Sequence, residues 1–189
     1  MLSEIFTFNI QRDHSGNVVP DIQWLAKEYP NAIICLQEVT EEIGRRIAEV
    51  FPTSVQREEN MIIVPENLHI DDVQSLSYGR RTRTFLQAEI SQGDDSPFFL
   101  VTWKLRHGLS FAERYKVLRD MFRFYFENPS LLALDTNHLI PGESRIVLGL
   151  LHRYGFTFTD HPEGTYDMRR MEHAFWKIIP QSFARSQLD

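Results

Sequence analysis

The segment Ala32-Ile33-Ile34-Cys35-Leu36-Gln37-Glu38 contains the clearest indication of the fold class. Its continuous apolar run, ending in two polar residues, is typical of a β-strand covered on both faces. A second run of this kind, Leu131-Leu132-Ala133-Leu134, ends in Asp135-Thr136-Asn137. Because such strands must be covered by helices or by another sheet, the two runs predict an α/β protein.

Helices and further strands alternate with these two runs. We predict an opening strand at 5–10, helices at 21–29, 40–50, 110–126 and 144–154, and strands at 61–64, 81–90 and 98–105. The last two strands form an antiparallel hairpin, and short strands follow at 165–166 and 173–179. Asp21 and Thr40 are expected to cap helices. The order predicts a layered α/β sandwich, with residues 1–189 as one domain.

The composition restricts the class of protein. A chain of 189 residues with 42% hydrophobic content can bury one substantial core. Its apolar runs are far shorter than the roughly 20 residues that cross a bilayer, so no membrane span is expected. Neither a leader nor an internal disulfide is expected, since the N-terminus has no signal pattern and Cys35 is the single cysteine. We therefore expect a cytoplasmic protein in which Cys35 is a small core residue.

The net charge of −6 argues against a broad basic surface that follows many phosphates. Any contact with nucleic acid is therefore expected to be local.

Glu38 and Asp135 are the leading candidates for chemistry. Each follows a buried strand, and ligands of α/β sheets bind at the carboxyl ends of strands. Each carboxylate alone is equally well explained as a helix cap or a solvent-exposed group. Asn9 and Asn137 have a similar alternative as turn formers. The joint occurrence of these residues, in this order, favours a site.

That order resembles the endonuclease/exonuclease/phosphatase superfamily of metal-dependent phosphodiesterases. Leu36-Gln37-Glu38-Val39 matches the family's Leu-Gln-Glu-Val motif, Thr7-Phe8-Asn9-Ile10 resembles its opening Trp-Asn strand, and Leu134-Asp135-Thr136-Asn137 resembles Gly-Asp-x-Asn. The strand after Arg80-Arg81-Thr82-Arg83, the strand Thr102-Trp103-Lys104-Leu105 and the later Glu113-Arg114 follow the family's order too. Among its branches, the sequence is most similar to the tyrosyl-DNA phosphodiesterases, which release tyrosine from DNA ends.

The resemblance implies a compact version of the family's four-layer α/β/β/α sandwich and a role for each matched residue. Glu38 would coordinate Mg²⁺ or Mn²⁺, Asn9 would support the metal or a phosphate oxygen, and Asp135 would orient or deprotonate the attacking water. Asn137 would hold a phosphoryl oxygen. Met171-Glu172-His173 occupies the place of the family's Ile-Asp-x, so Glu172 would be a further metal ligand with a longer arm.

The sequence departs from the family at several matched positions. Lys104 stands where the family has a phosphate-binding histidine, and it would supply a point charge without proton transfer. Leu134 replaces the glycine before the catalytic aspartate. The terminal Ser-Asp-His motif does not occur, and losing such a transition-state stabiliser can cost a factor of about 10² to 10³ in rate. His138 is the histidine to test first as a substitute; His107, His161 and His173 are the others, and a surface or capping role is the ordinary explanation for all four.

A local basic set forms if the hairpin pairs as predicted; its members are Arg80, Arg81, Arg83, Lys104 and Arg106. This set would bind a few phosphates of a substrate, although a solvated hairpin face explains it equally simply. Trp103 lies beside Lys104 and is a candidate for stacking on a base. We expect Trp24 and Trp176 in the core instead.

Two functions follow from these observations, and a third arrangement stays open. The first is a divalent-metal-dependent phosphodiesterase or nuclease that hydrolyses a phosphodiester, with DNA or RNA ends as one substrate class. The alternative is a catalytically impaired member of the same fold that binds or regulates. In the third, another chain completes the site. The sequence leaves the oligomeric state undetermined.

Overall fold

The computed structural model describes residues 5–10, 18–76, 85–93, 95–104, 110–124, 131–135 and 143–154. Eight strands and four helices lie in these residues. In chain order they are β1 (Ile5–Asn9), α1 (Val18–Glu28), β2 (Ile33–Gln37), α2 (Glu41–Val50), β3 (Ser54–Arg57), β4 (Asn60–Ile63), β5 (His69–Leu76), β6 (Phe85–Ser91), β7 (Phe98–Lys104), α3 (Phe111–Phe124), β8 (Leu131–Asp135) and α4 (Glu143–Arg153).

The chain divides into two compact units. One contains residues 1–104 and 127–135, and therefore all eight strands with α1 and α2; the other contains residues 105–126 and 136–189, with α3 and α4. The organisation of residues 1–189 as one domain stays a prediction.

The strands form two four-stranded sheets. The first has the order β1-β2-β4-β3 and the second β5-β6-β7-β8. β1 pairs with β2 in parallel, β7 pairs with β8 in parallel, and the other neighbours are antiparallel. The α/β class and the predicted hairpin of β6 and β7 are confirmed. Of the predicted strand at 81–90, residues 85–90 lie in β6. Residues 81–84 lie outside the described part, as do the predicted strands at 165–166 and 173–179.

The buried strand β2 contributes to two hydrophobic cores. Ile34 and Leu36 pack with the apolar faces of α1 and α2, whereas Ile33 and Cys35 pack with apolar side chains of the second sheet. Since successive side chains of a strand point to opposite faces, one apolar run serves both cores. Fully burying each such aliphatic side chain contributes about 1.5–3 kcal/mol.

Helix α2 begins as the sequence predicts. The Thr40 side chain accepts a hydrogen bond from the Ile43 backbone N–H at 3.3 Å, so Thr40 is the N-cap. Helix α1 differs, because it begins at Val18 and places Asp21 in its first turn. The prediction of Asp21 as a cap is therefore wrong. Pro20 is tolerated there because the first turn of a helix has unpaired N–H groups in any case.

Two strands were not predicted from the sequence. β3 has the polar sequence Ser-Val-Gln-Arg, and β5, His-Ile-Asp-Asp-Val-Gln-Ser-Leu, carries adjacent aspartates. Within the described residues both are edge strands, and each is paired there along one side, with β4 and β6 respectively. Charged residues are common on such edges, where they discourage pairing with other chains, and they obscure the strand pattern.

The two tryptophans in the described residues, Trp24 and Trp103, have exposures opposite to those predicted. Trp24, expected in the core, is 61% exposed, because the buried face of α1 is formed by Val18, Ile22 and Leu25 at helical spacing. Trp103, expected to reach the substrate, is 1% exposed. Within the described residues, no helix is long and apolar enough to cross a membrane.

Candidate functional site

The carboxyl ends of two parallel strands place Asn9 beside the segment that carries Glu38. Asn9 is in register with Gln37, and the Ile10 backbone N–H donates to the Gln37 carbonyl oxygen at 3.0 Å. Glu38 is the next residue after β2. Asn9 and Glu38, two of the three residues expected to bind the metal, therefore lie at one end of the first sheet.

The second sheet contributes another pair of parallel strand ends. Lys104 is the last residue of β7 and is in register with Asp135, the last residue of β8. For Lys104 and Asp135 the structure describes the backbone. The backbones of Lys104, which replaces the family's histidine, and of Asp135, the predicted catalytic aspartate, are therefore adjacent.

A buried hydrogen bond joins the two sheets close to these strand ends. Gln37 Nε2 donates to Thr102 Oγ1 at 2.9 Å, and both side chains are buried. Glu38 follows Gln37 directly, and Lys104 lies two residues beyond Thr102. The strand β1 also lies against β8. We call Asn9, Glu38, Lys104 and Asp135 the strand-end set, because their backbones lie at the same end of the paired sheets.

The backbone turns sharply at Glu38. Its φ of 60° lies in the left-handed region, which costs a residue with a Cβ atom roughly 1–2 kcal/mol. Strain of this kind persists only where the surroundings enforce the conformation, and it is found most often at functional positions.

Hydrogen bonds hold the chain firmly on the far side of this turn. The Val39 N–H donates to the Glu59 carbonyl oxygen at 3.0 Å. Gln56 Nε2 donates to the carbonyl oxygens of Val39 at 3.1 Å and Thr40 at 3.4 Å. Glu38 is therefore fixed between a buried strand and an anchored helix start, which is the rigid support that a binding residue requires.

The donor types at the strand-end set suit a hard cation. Carboxylate and amide oxygens, from Glu38 and Asn9, are the ligands that Mg²⁺ and Mn²⁺ prefer. The thiol of Cys35 points into the core between the sheets, and burial raises its pKa, so it offers no thiolate for a softer metal. Among the described side chains, no three His, Cys, Asp or Glu residues cluster as a metal site.

Other predicted site residues lie outside the described residues. They are Arg81, Arg83, Arg106, Asn137, His138 and Glu172.

Trp103 is described, and its ring packs edge-on against Phe85, with centroids 5.9 Å apart. A side chain so completely buried cannot stack on a base in this conformation, so the substrate-binding assignment of Trp103 is wrong. The reason is that β7 is an interior strand with buried residues on both faces.

The hydrogen bonds of the Gln37 side chain were not predicted from the sequence. Gln37 Nε2 donates to Thr7 Oγ1 at 2.9 Å as well as to Thr102. A signal was present, because Gln37 continues a buried apolar strand, and a polar side chain in such a place must find partners.

Comparisons with known proteins agree with this architecture. No protein-family model and no curated protein matches the sequence. Solved structures do match: humanized D. rerio TDP2 at a TM-score of 0.58 and 15% identity, over 76% of this chain and 65% of that one. D. rerio TDP2 complexed with a single-strand DNA product has a TM-score of 0.58 and 14% identity, over 76% and 63%. The Bacteroides thetaiotaomicron mannosyl-6-phosphatase has a TM-score of 0.53 and 12% identity, over 71% and 65%.

This chain thus spans slightly less than two thirds of each of these three proteins. At these identities, the likeness is one of fold. The two sheets, their parallel strand ends and the matches to TDP2 and to a phosphatase lead to one conclusion: the chain has the endonuclease/exonuclease/phosphatase fold.

Proposed function

We propose that this chain is a phosphodiesterase that requires Mg²⁺ or Mn²⁺ and hydrolyses a phosphodiester bond, with DNA or RNA ends as its substrate class. The observation that carries the proposal is the buried Gln37–Thr102 hydrogen bond, which joins two sheets whose parallel strands end in the strand-end set. The D. rerio TDP2 structure contains a single-strand DNA product, and this supports nucleic acid as the substrate class.

Glu38 and Asn9 would hold the cation, with Glu172 as a third ligand. When bound, a divalent cation neutralises charge on a phosphoryl group. Asp135 accepts a proton from the attacking water as the oxygen–phosphorus bond forms and the bond to the leaving oxygen breaks. Lys104 and Asn137 hold phosphoryl oxygens, and His138 takes the stabilising role of the family's terminal histidine. Arg81, Arg83 and Arg106 contact phosphates of the substrate locally.

Hydrolysis of bis(p-nitrophenyl) phosphate and of a nicked DNA, with and without chelator, tests the proposal. We expect Glu38→Gln and Asp135→Asn each to lower turnover by about 100-fold or more, since each removes a charged group from the reaction. Glu66→Gln is the matched control. Glu66 is exposed and follows β4, which runs antiparallel to β2 and so carries it to the opposite end of the first sheet.

Binding of the cation is measured separately from turnover. Mn²⁺ at about 100 times its Kd should raise the free energy of unfolding of the wild-type chain by about 2.7 kcal/mol. Glu38→Gln should lose most of this gain, and Glu66→Gln should keep it. A folded wild-type chain that gains no stability from Mn²⁺ and hydrolyses neither substrate contradicts the proposal. That result favours the alternative of a binding or regulatory protein, which Lys104 and Leu134 motivate.

A further inference from the structure

Gln37 is a polar side chain in a largely apolar interior. It is 1% exposed, and its Nε2 donates to two threonine hydroxyls, those of Thr7 and Thr102, at 2.9 Å each. A buried amide is retained only where hydrogen bonds replace those it made with water. The two bonds therefore hold the Gln37 side chain in one orientation.

The two bonds differ in what they join. Thr7 lies on β1, the strand adjacent to Gln37 in the same sheet, where backbone hydrogen bonds already determine the spacing. Thr102 lies on β7 of the other sheet. The bond to Thr102 crosses between the two sheets, which share no backbone ladder among the described residues.

Apolar packing and a hydrogen bond restrain the displacement of one sheet along the other in different ways. The core between the sheets is formed by aliphatic side chains such as Ile33, Leu86 and Leu100, whose attraction has no preferred direction. A hydrogen bond requires a particular distance and angle. The Gln37–Thr102 bond therefore aligns the two sheets, and it does so next to their strand ends.

We propose that Gln37 is a positioning residue that acts through Thr102 to set the separation between Glu38 on one sheet and Lys104 with Asp135 on the other. This inference rests on the proposed function. Gln37 directly precedes Glu38 in the chain, so its bond to the other sheet restrains the backbone next to the proposed metal ligand. Thr102 precedes Lys104 by two residues, so the same bond restrains the other half of the site.

A set of threonine variants separates alignment of the sheets from simple loss of a hydrogen bond. Thr102→Val removes the bond between sheets with almost no change in shape, and Thr102→Ser keeps a hydroxyl at the same place. Thr7→Val is the matched control, because it removes a bond of the same length to the same Gln37 atom within one sheet. Circular dichroism and urea unfolding verify that each variant folds.

The readouts are the Kd for Mn²⁺, from electron paramagnetic resonance of the free ion, and kcat and KM for bis(p-nitrophenyl) phosphate at saturating Mn²⁺. We expect Thr102→Val to weaken Mn²⁺ binding by about 10-fold or more and to lower kcat with little change in KM, as misplaced ligands do. Thr7→Val should weaken binding by less than about 3-fold, and Thr102→Ser should restore both quantities to within about 2-fold of wild type.

The outcomes distinguish this inference from the proposed function. A folded wild-type chain that binds no Mn²⁺ overturns both. A wild-type chain that binds Mn²⁺ and cleaves the substrate, with Thr102→Val unchanged or no worse than Thr7→Val, overturns the inference alone. If Thr102→Val does not fold, Gln37→Met and Thr102→Ser decide instead. Gln37→Met must then show the loss of Mn²⁺ affinity while Thr102→Ser retains it, and wild-type affinity in Gln37→Met overturns the inference.

Discussion

Glu38 combines strain with an anchored neighbourhood. Its left-handed backbone would be more easily adopted by glycine, yet the position carries a carboxylate at the end of a buried strand. Glu58, in the turn between β3 and β4, has a similar φ of 50° and is exposed. Comparing variants at Glu38 and Glu58 separates the free-energy cost of the left-handed conformation from the function of the side chain.

We expect Glu38→Gly to be more stable than Glu38→Ala by about 1 kcal/mol, because alanine keeps the strained conformation and glycine relieves it. Both variants should lose phosphodiesterase activity. Glu58→Gly should likewise be more stable than Glu58→Ala, with activity unchanged in both. Urea unfolding and the hydrolysis assay measure the two effects. Equal stability of the glycine and alanine variants at position 38 would show that the turn carries no strain.

Cys35 gives the stability of the protein a dependence on alkaline pH. Burial raises the pKa of its thiol above the ordinary value of 9.0. The folded chain then keeps the proton at a pH where the unfolded chain loses it. The contribution to stability is therefore complete below pH 9 and is lost progressively as the pH rises above that value.

Between pH 8 and pH 10, we expect the wild type to lose about 1.4 kcal/mol more unfolding free energy than Cys35→Ala, which has no thiol to ionise. Urea unfolding of both proteins at the two pH values tests this difference, and other titrating groups cancel in the comparison. Equal losses in the two proteins would mean that the folded thiol ionises normally.

Helix α2 has an N-cap that could be predicted from the sequence and a glycine that only the structure explains. A Cβ atom at Gly44 would overlap the end of the Gln56 side chain. The Gln56 side chain lies against α2 at Gly44. Its Nε2 donates to the carbonyl oxygens of Val39, Thr40 and Glu58. Gly149 in α4 has open space around it.

Gly44→Ala should therefore lower the unfolding free energy by about 1–2 kcal/mol, because Gln56 must move and lose its hydrogen bonds, which outweighs the gain in helix propensity. Gly149→Ala should raise it by about 0.5–1 kcal/mol through propensity alone. Thermal and urea unfolding measure both. A stabilised Gly44→Ala protein would show that the side chain of Gln56 contributes little in that place.

The start of α3 shows how local sequence can define an element by itself. The Ser110 N–H and hydroxyl both donate to Glu113 Oε2 at 2.8 Å, and the Glu113 N–H donates to Ser110 Oγ at 3.3 Å. This reciprocal pair is a capping box, which lies within four residues of sequence. The prediction of a helix at 110–126 is confirmed for Phe111–Phe124.

For the whole molecule, the net charge of −6 limits how nucleic acid can be bound. If about three phosphates are neutralised, the logarithm of the affinity for single-stranded DNA should fall with the logarithm of salt concentration with a slope of about −2. Fluorescence anisotropy with a short oligonucleotide between 50 and 200 mM NaCl measures this slope. Arg81→Ala with Arg83→Ala should reduce its magnitude by about 1.4, and Arg45→Ala on α2 should leave it unchanged. A slope steeper than about −5 would indicate a broad binding surface and contradict local contact.

Local sequence was sufficient to predict the buried strands, the order of most elements and the polar residues at the strand ends. It was sufficient because hydrophobic runs, caps and helical periodicity are local properties. Local patterns did not predict β3 and β5, since edge strands with polar residues form by pairing with a neighbour. The predicted exposures of Trp24 and Trp103 were also wrong, because one apolar residue does not reveal which face of an element is covered.

The contact between Gln37 and Thr102, which are 65 residues apart in the chain, could not be predicted from local sequence. Nothing local in either strand specifies the other as its partner. That contact forms only when two sheets, each with its own backbone hydrogen bonds, pack face to face. The candidate residues could therefore be named from the sequence, whereas the shared end of the paired sheets where their backbones lie follows from long-range packing.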